Sequence, residues 1–172
     1  MRPWWVIAVL GLGVLAFWSC GDKRLEQHFK EIVEAESGYF RGSSLGDPLD
    51  EVLEREDGKA LVFQDSAFAK FHFHYSDTEY YEVSYRFFEG KLDEIHVQVF
   101  LGSEDEGALV TGLFTDWYAQ RLGTAARESR GTLYFENQEV RVEVFDESPL
   151  YEAGVVRLTI SYPQGSSAPL VM

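Results

Sequence analysis

Apolar positions change period several times along this chain, and each change marks an element. Leu25, Phe29, Ile32 and Val33 stand at i, i+4, i+7 and i+8, one apolar stripe on a helix whose remaining positions are charged. The pattern predicts a helix over Asp22–Ser37, ended by Gly38 in a left-handed turn. A Gly/Ser-rich stretch from Gly38 to Gly46 follows. Asp47-Pro48 then reads as N-cap and first helical position of a short second helix through Glu54, with Leu49, Val52 and Leu53 facing inward.

From Lys59 the period becomes two. Phe71, Phe73 and Tyr75 alternate with polar residues, as do Tyr81, Val83, Tyr85 and Phe87, and then Ile95, Val97, Val99 and Leu101. Each set predicts a strand with one buried face. Glu89-Gly90 is placed to turn a two-residue hairpin, with Gly supplying the positive φ. That turn sets Phe87 opposite Leu92, after which apolar residues would oppose polar ones. A one-residue bulge near Asp93-Glu94 is therefore expected. Ser103 and Glu106 form a capping box ahead of Val110, Leu113, Phe114, Trp117 and Tyr118, a helix stripe ended by Gly123. Strands resume with Leu133 and Phe135, turn at Asn137-Gln138, and continue through Val140, Val142 and Val144. Val156, Leu158, Ile160 and Tyr162 close the pattern.

The order is two N-terminal helices, a strand meander, one long helix and a second meander. It predicts an α+β domain with helices packed on one face of an antiparallel sheet of six or seven strands. Four aromatics, Tyr80, Phe88, Phe100 and Tyr134, fall on the strand faces opposite this core. They lie under a covering element or present a binding surface.

Composition narrows the function. Val6–Trp18 is an apolar run behind the single positive charge of Arg2, closed by Ser19-Cys20-Gly21, the layout of a secretory signal and short for a membrane span. Arg2 is the one charged residue among the first nineteen. Without it the 15 basic residues become 14 against 29 acidic ones, a net charge of −15. Such acidity disfavours nucleic acid and anionic lipid headgroups. The aromatic fraction of 15% belongs to a chain that folds around a core. Residues 1–19 read as the signal, 20–162 as one domain and 163–172 as a flexible Gly/Ser/Pro tail.

Phe17-Trp18-Ser19-Cys20, followed by Gly21, resembles the lipobox of bacterial lipoproteins. The resemblance implies that Cys20, the only cysteine, becomes a lipidated N-terminus held at a membrane on the periplasmic or extracellular side. Gly21, where an Asp would signal inner-membrane retention, favours the outer membrane. Leu45-Gly46-Asp47-Pro48-Leu49-Asp50-Glu51-Val52-Leu53 resembles the opening of small envelope lipoproteins of the BamE (SmpA) type and their relatives with a β-lactamase-inhibitor-like fold. Those domains bind other proteins and catalyse nothing. The present chain carries a further helix and meander beyond that pattern.

The remaining polar residues carry the candidate chemistry. His72, His74 and His96, with Glu82 and Glu94, lie on the polar side of neighbouring strands and could present imidazole and carboxylate to zinc or copper. Lys70 and Arg86 on the same side oppose a cation. Glu104, Asp105 and Glu106 suit a helix N-terminus and lack the spacing of a calcium loop. Ser43-Ser44 has no nucleophile elbow, Gly42–Gly46 lacks the Lys-Ser/Thr of a phosphate loop, and His28 has no partner evident in sequence. The expectation is a non-enzymatic envelope lipoprotein without a cofactor, binding a protein partner. The alternative is a periplasmic metal- or small-ligand-binding domain using the histidine-bearing sheet face.

Overall fold

The computed structural model describes residues 23–33, 37–123 and 127–163. The expected signal, Cys20 and the tail after Pro163 lie outside these residues. Helix α1 covers residues 23–33 and α2 Leu49–Arg55, followed by a 3-10 turn at Gly58–Ala60. Strands β1 (Leu61–Gln64), β2 (Phe68–His74), β3 (Tyr80–Phe88) and β4 (Lys91–Leu101) precede α3 (Glu104–Leu122). Strands β5 (Arg127–Ser129), β6 (Thr132–Glu136) and β7 (Arg141–Asp146) lead to the short α4 (Ser148–Tyr151) and finally β8 (Gly154–Ser161). The fold is α+β with one antiparallel sheet, in the order β1-β2-β3-β4-β8-β7-β6-β5.

The sheet has eight strands, not six or seven. The two additional ones, β1 and β5, are its edges, and every residue in them is exposed. An edge strand that buries neither face has no reason to alternate, so its period-two signature is missing. Arg130-Gly131, with φ of 53° and 78°, is the two-residue turn that marks the β5–β6 hairpin. Glu89-Gly90 turns in the same way, at φ 51° and 76°. The β3–β4 register slips by one residue between Arg86↔Glu94 and Phe87↔Leu92, leaving Asp93 as the extra residue of a bulge.

The second helix begins one residue later than its sequence predicts. Pro48 is extended (ψ 153°) and occupies the N-cap position without a side-chain cap. The Asp47 carboxylate instead accepts from the Ser44 amide at 2.9 Å and from Arg55 at 2.5 Å, closing the loop rather than the helix. In α3, Ser103 accepts from the Glu106 amide and Gly123 adopts a left-handed C-cap.

Odd-numbered residues of β2 and β3 and their partners across the sheet face a core that includes Tyr85, Ile95, Val97, Val142, Leu158 and Ile160. Leu25, Phe29 and Ile32 of α1 and Val110, Phe114 and Tyr118 of α3 belong to the same core, with Phe29 edge-on to Phe114 at 5.0 Å. Arg24 ties α1 to this layer by pairing with both Glu79, before β3, and Glu106 in α3. No described helix is long and apolar enough to cross a membrane.

Candidate functional site

The opposite side of the sheet is built by the alternate residues, and register sorts them into cross-strand rows. His74 pairs with Tyr80, Tyr80 with Phe100 and Phe100 with Val155. The next row is His72, Glu82, Gln98 and Arg157, and the next Lys70, Ser84, His96 and Thr159. Nearly all of these side chains are half-exposed. This face keeps the alternation of an antiparallel sheet with one side toward water.

Its first row is aromatic. Tyr80 stacks on Phe100 with ring centroids 4.3 Å apart, and His72 lies 4.6 Å from Tyr80 and 4.2 Å from His74. The rings form a strip from β2 to β4. Around them the charges pair with one another: Lys70 with Glu82 at 2.9 Å, Arg157 with Glu147 at 2.7 Å, and Arg86 with Asp93 at 3.0 Å and Glu94 at 3.2 Å. Burial is the main cause that pushes the His72 pKa below its ordinary value, helped by the neighbouring His74 and opposed by Glu82. Burial, then Arg157, lowers that of His96. A neutral His72 keeps its place in the strip uncharged around neutral pH.

Tyr80 and Phe100 thus come together, whereas the other two candidate aromatics stand apart. Phe88 is 60% exposed at the β3–β4 turn. Tyr134 lies on β6 under the Arg141 guanidinium, 4.6 Å from its ring, beside a depression of about 440 Å³ also lined by Arg127 and Glu136. His72 and His74 are neighbours, but His96 sits two strands away in another row. Among the described residues no three His, Cys, Asp or Glu side chains are grouped so as to hold a metal. His72 Nδ1 lies 3.8 Å from Glu82.

β1 pairs with β2 only as far as Phe71. Beyond that point the outer edge of His72–His74 borders a depression of about 410 Å³, lined by Arg41, Asp57, Lys59, Phe73 and Tyr75 among others. The aromatic strip therefore runs up to a strand edge that no described strand covers.

Two features escaped the sequence pattern. Arg41, held at φ 48°, buries its guanidinium against Glu56 at 2.9 Å and donates to the Ile32 and Glu31 carbonyls and to Tyr81. Tyr85 donates to the same Glu56 carboxylate. Burial, then Glu56, pushes the Tyr85 pKa well above its usual value. Nothing in a Gly-rich loop announces a buried ion pair. His28 stacks flat on Tyr75 at 3.9 Å, and burial, then Arg24, lowers its pKa.

Comparison with known proteins finds no matching family model, no matching curated protein and no matching solved structure.

Proposed function

We propose that this protein is a non-enzymatic cell-envelope lipoprotein, anchored through a lipid on Cys20, whose domain binds another protein across the open face of its sheet. The observation that carries this reading is the aromatic strip of His74, His72, Tyr80 and Phe100 on a face whose side chains are mostly half-exposed. Flat aromatic side chains contribute contact area at low conformational cost and are enriched where proteins meet. The free edge at His72–His74 adds main-chain donors and acceptors beside the strip, which suits an extended partner segment laid along it. The acidic chain and its internally paired charges favour a protein over a nucleic acid.

Crosslinking in intact cells, followed by capture of the full-length lipidated protein and mass spectrometry, tests the proposal. A stoichiometric envelope protein should co-purify. Tyr80→Ala or Phe100→Ala should cut its recovery at least tenfold while the domain stays folded. Full recovery with both variants folded would remove this face as the binding surface.

A further inference from the structure

A second apolar surface lies on the far side of the core, between α1 and α3. Leu25, Ala108, Leu109, Gly112 and Leu113 line an open groove of about 360 Å³, with Glu26 and Asp116 completing its lining. An apolar cavity of about 150 Å³ is already enough to hold benzene. Leu109 is 48% exposed here.

Gly112 is the informative residue. It stands in the interior of the 19-residue helix α3, where glycine weakens a helix relative to alanine. Such a glycine usually lets another backbone approach. Gly112 does not: a Cβ added there would meet no atom within 4 Å. Gly107, five residues earlier, behaves in the opposite way, because a Cβ at that position would collide with Ser148. Packing accounts for Gly107. Gly112 is exposed on the groove, and a Cβ there would point into open space.

The position of the groove indicates its occupant. Arg24 pairs with Glu106 and Phe29 packs on Phe114, so α1 and α3 run side by side with their N-terminal ends together. Leu25 is two residues beyond Lys23, where the described part of α1 begins. Cys20 is five residues before Leu25, within roughly 18 Å at full extension. From the exposed apolar groove, its unfilled glycine and the short tether to Cys20, we infer that the groove receives an acyl chain of the protein's own N-terminal lipid. This rests on the lipoprotein reading given above. The carboxylates of Glu26 and Asp116 disfavour a phosphate headgroup, so a bilayer phospholipid fits less well than a chain the protein itself carries. The groove shelters an acyl chain when the protein is off the membrane and gives it up when the anchor inserts.

The test uses the full-length protein made in cells, with the photoreactive p-benzoylphenylalanine in place of Leu109. After release from the membrane in mild detergent and irradiation, the expected product joins position 109 to the acylated peptide that begins at Cys20, within one chain. Mixed light- and heavy-isotope protein establishes that it is intramolecular. Gly112→Leu, which fills the groove, should lower the yield at least tenfold while leaving the thermal midpoint equal or higher. Crosslinks only to phospholipid, to a second copy or to another protein would overturn the inference, as would an undiminished yield in Gly112→Leu. Intact mass separates the two levels of the argument. A lipid-free Cys20 overturns the lipoprotein reading itself, and a lipidated Cys20 with no intramolecular product overturns only the groove assignment.

Discussion

Tyr85 and Tyr80 lie on the same strand, five residues apart, and point to opposite sides of the sheet. Tyr85 is fully buried and its hydroxyl is spent on Glu56, which in turn holds Arg41. Tyr80 is half-exposed and spends its ring on Phe100, His72 and His74. On the covered side every polar group must find a partner inside the protein, because desolvation penalises any that does not. On the open side most side chains are half-exposed, so most polar atoms can reach water, although His72 Nε2 is buried without a partner among the described residues. The same residue type is therefore fully buried on one side and partly exposed to solvent on the other.

The contrast can be broken most forcefully at Glu56. Replacing it by Gln leaves the buried Arg41 guanidinium without its counter-charge, and should cost about 3–5 kcal/mol of stability in urea unfolding. A loss no larger than that of a surface substitution would mean that Arg41 finds compensation elsewhere. Tyr85→Phe removes one hydrogen bond to the same carboxylate and should cost about 1.5–3 kcal/mol by the same measurement. On the open side, Tyr80→Ala removes stacking worth about 0.5–1.5 kcal/mol together with the ring's partial burial, and should cost less than the Glu56 variant. Its principal effect should appear in partner capture. If Tyr80→Ala destabilises the domain as much as the Glu56 variant, the two sides are not distinct.

The smallest expected effect is a pH dependence. The pKa values of His28, His72 and His96 are all lowered in the folded protein, chiefly by burial. Below about pH 6.5 the unfolded chain then binds more protons than the folded one. Stability is full above that value and falls as pH drops through it toward the lowered folded values. Urea midpoints at pH 7.5 and 5.5 should show the decline, and His28→Gln should reduce it. Equal declines in wild type and variant would mean that His28 contributes nothing to it.

Much of this architecture could be read from the residues, and the limits follow from what burial leaves in a sequence. The α3 stripe, the three alternating sets between Phe71 and Leu101, and the Asp93 bulge were legible because each places apolar residues on one side of an element. β1 and β5 were not, because an edge exposed on both sides has no such constraint. For the candidate site, alternation placed Tyr80, Phe100, His72 and His74 on one side, and register then brought them together. It could not show that Phe88 and Tyr134 stand apart, which depends on where each strand ends in the sheet. The Arg41–Glu56–Tyr85 cluster joins three separate segments, and the groove beside Gly112 is defined by space. Neither leaves a local pattern.

The strand order also has a consequence for how the molecule assembles. Each half of the sheet, β1 to β4 and β8 to β5, joins strands that follow one another in sequence. Only the β4–β8 seam, where Val97 meets Leu158, joins distant parts of the chain, and α3 lies between them. Hairpins within each half can close in microseconds, whereas the seam must wait for a much longer closure. Until it forms, each half carries an unpaired strand lined with valine and isoleucine on one face. The molecule is thus two hairpin ribbons with one long-range join. A chain severed just after Gly123 leaves four strands in each piece, and these fragments should recover the native sheet when mixed.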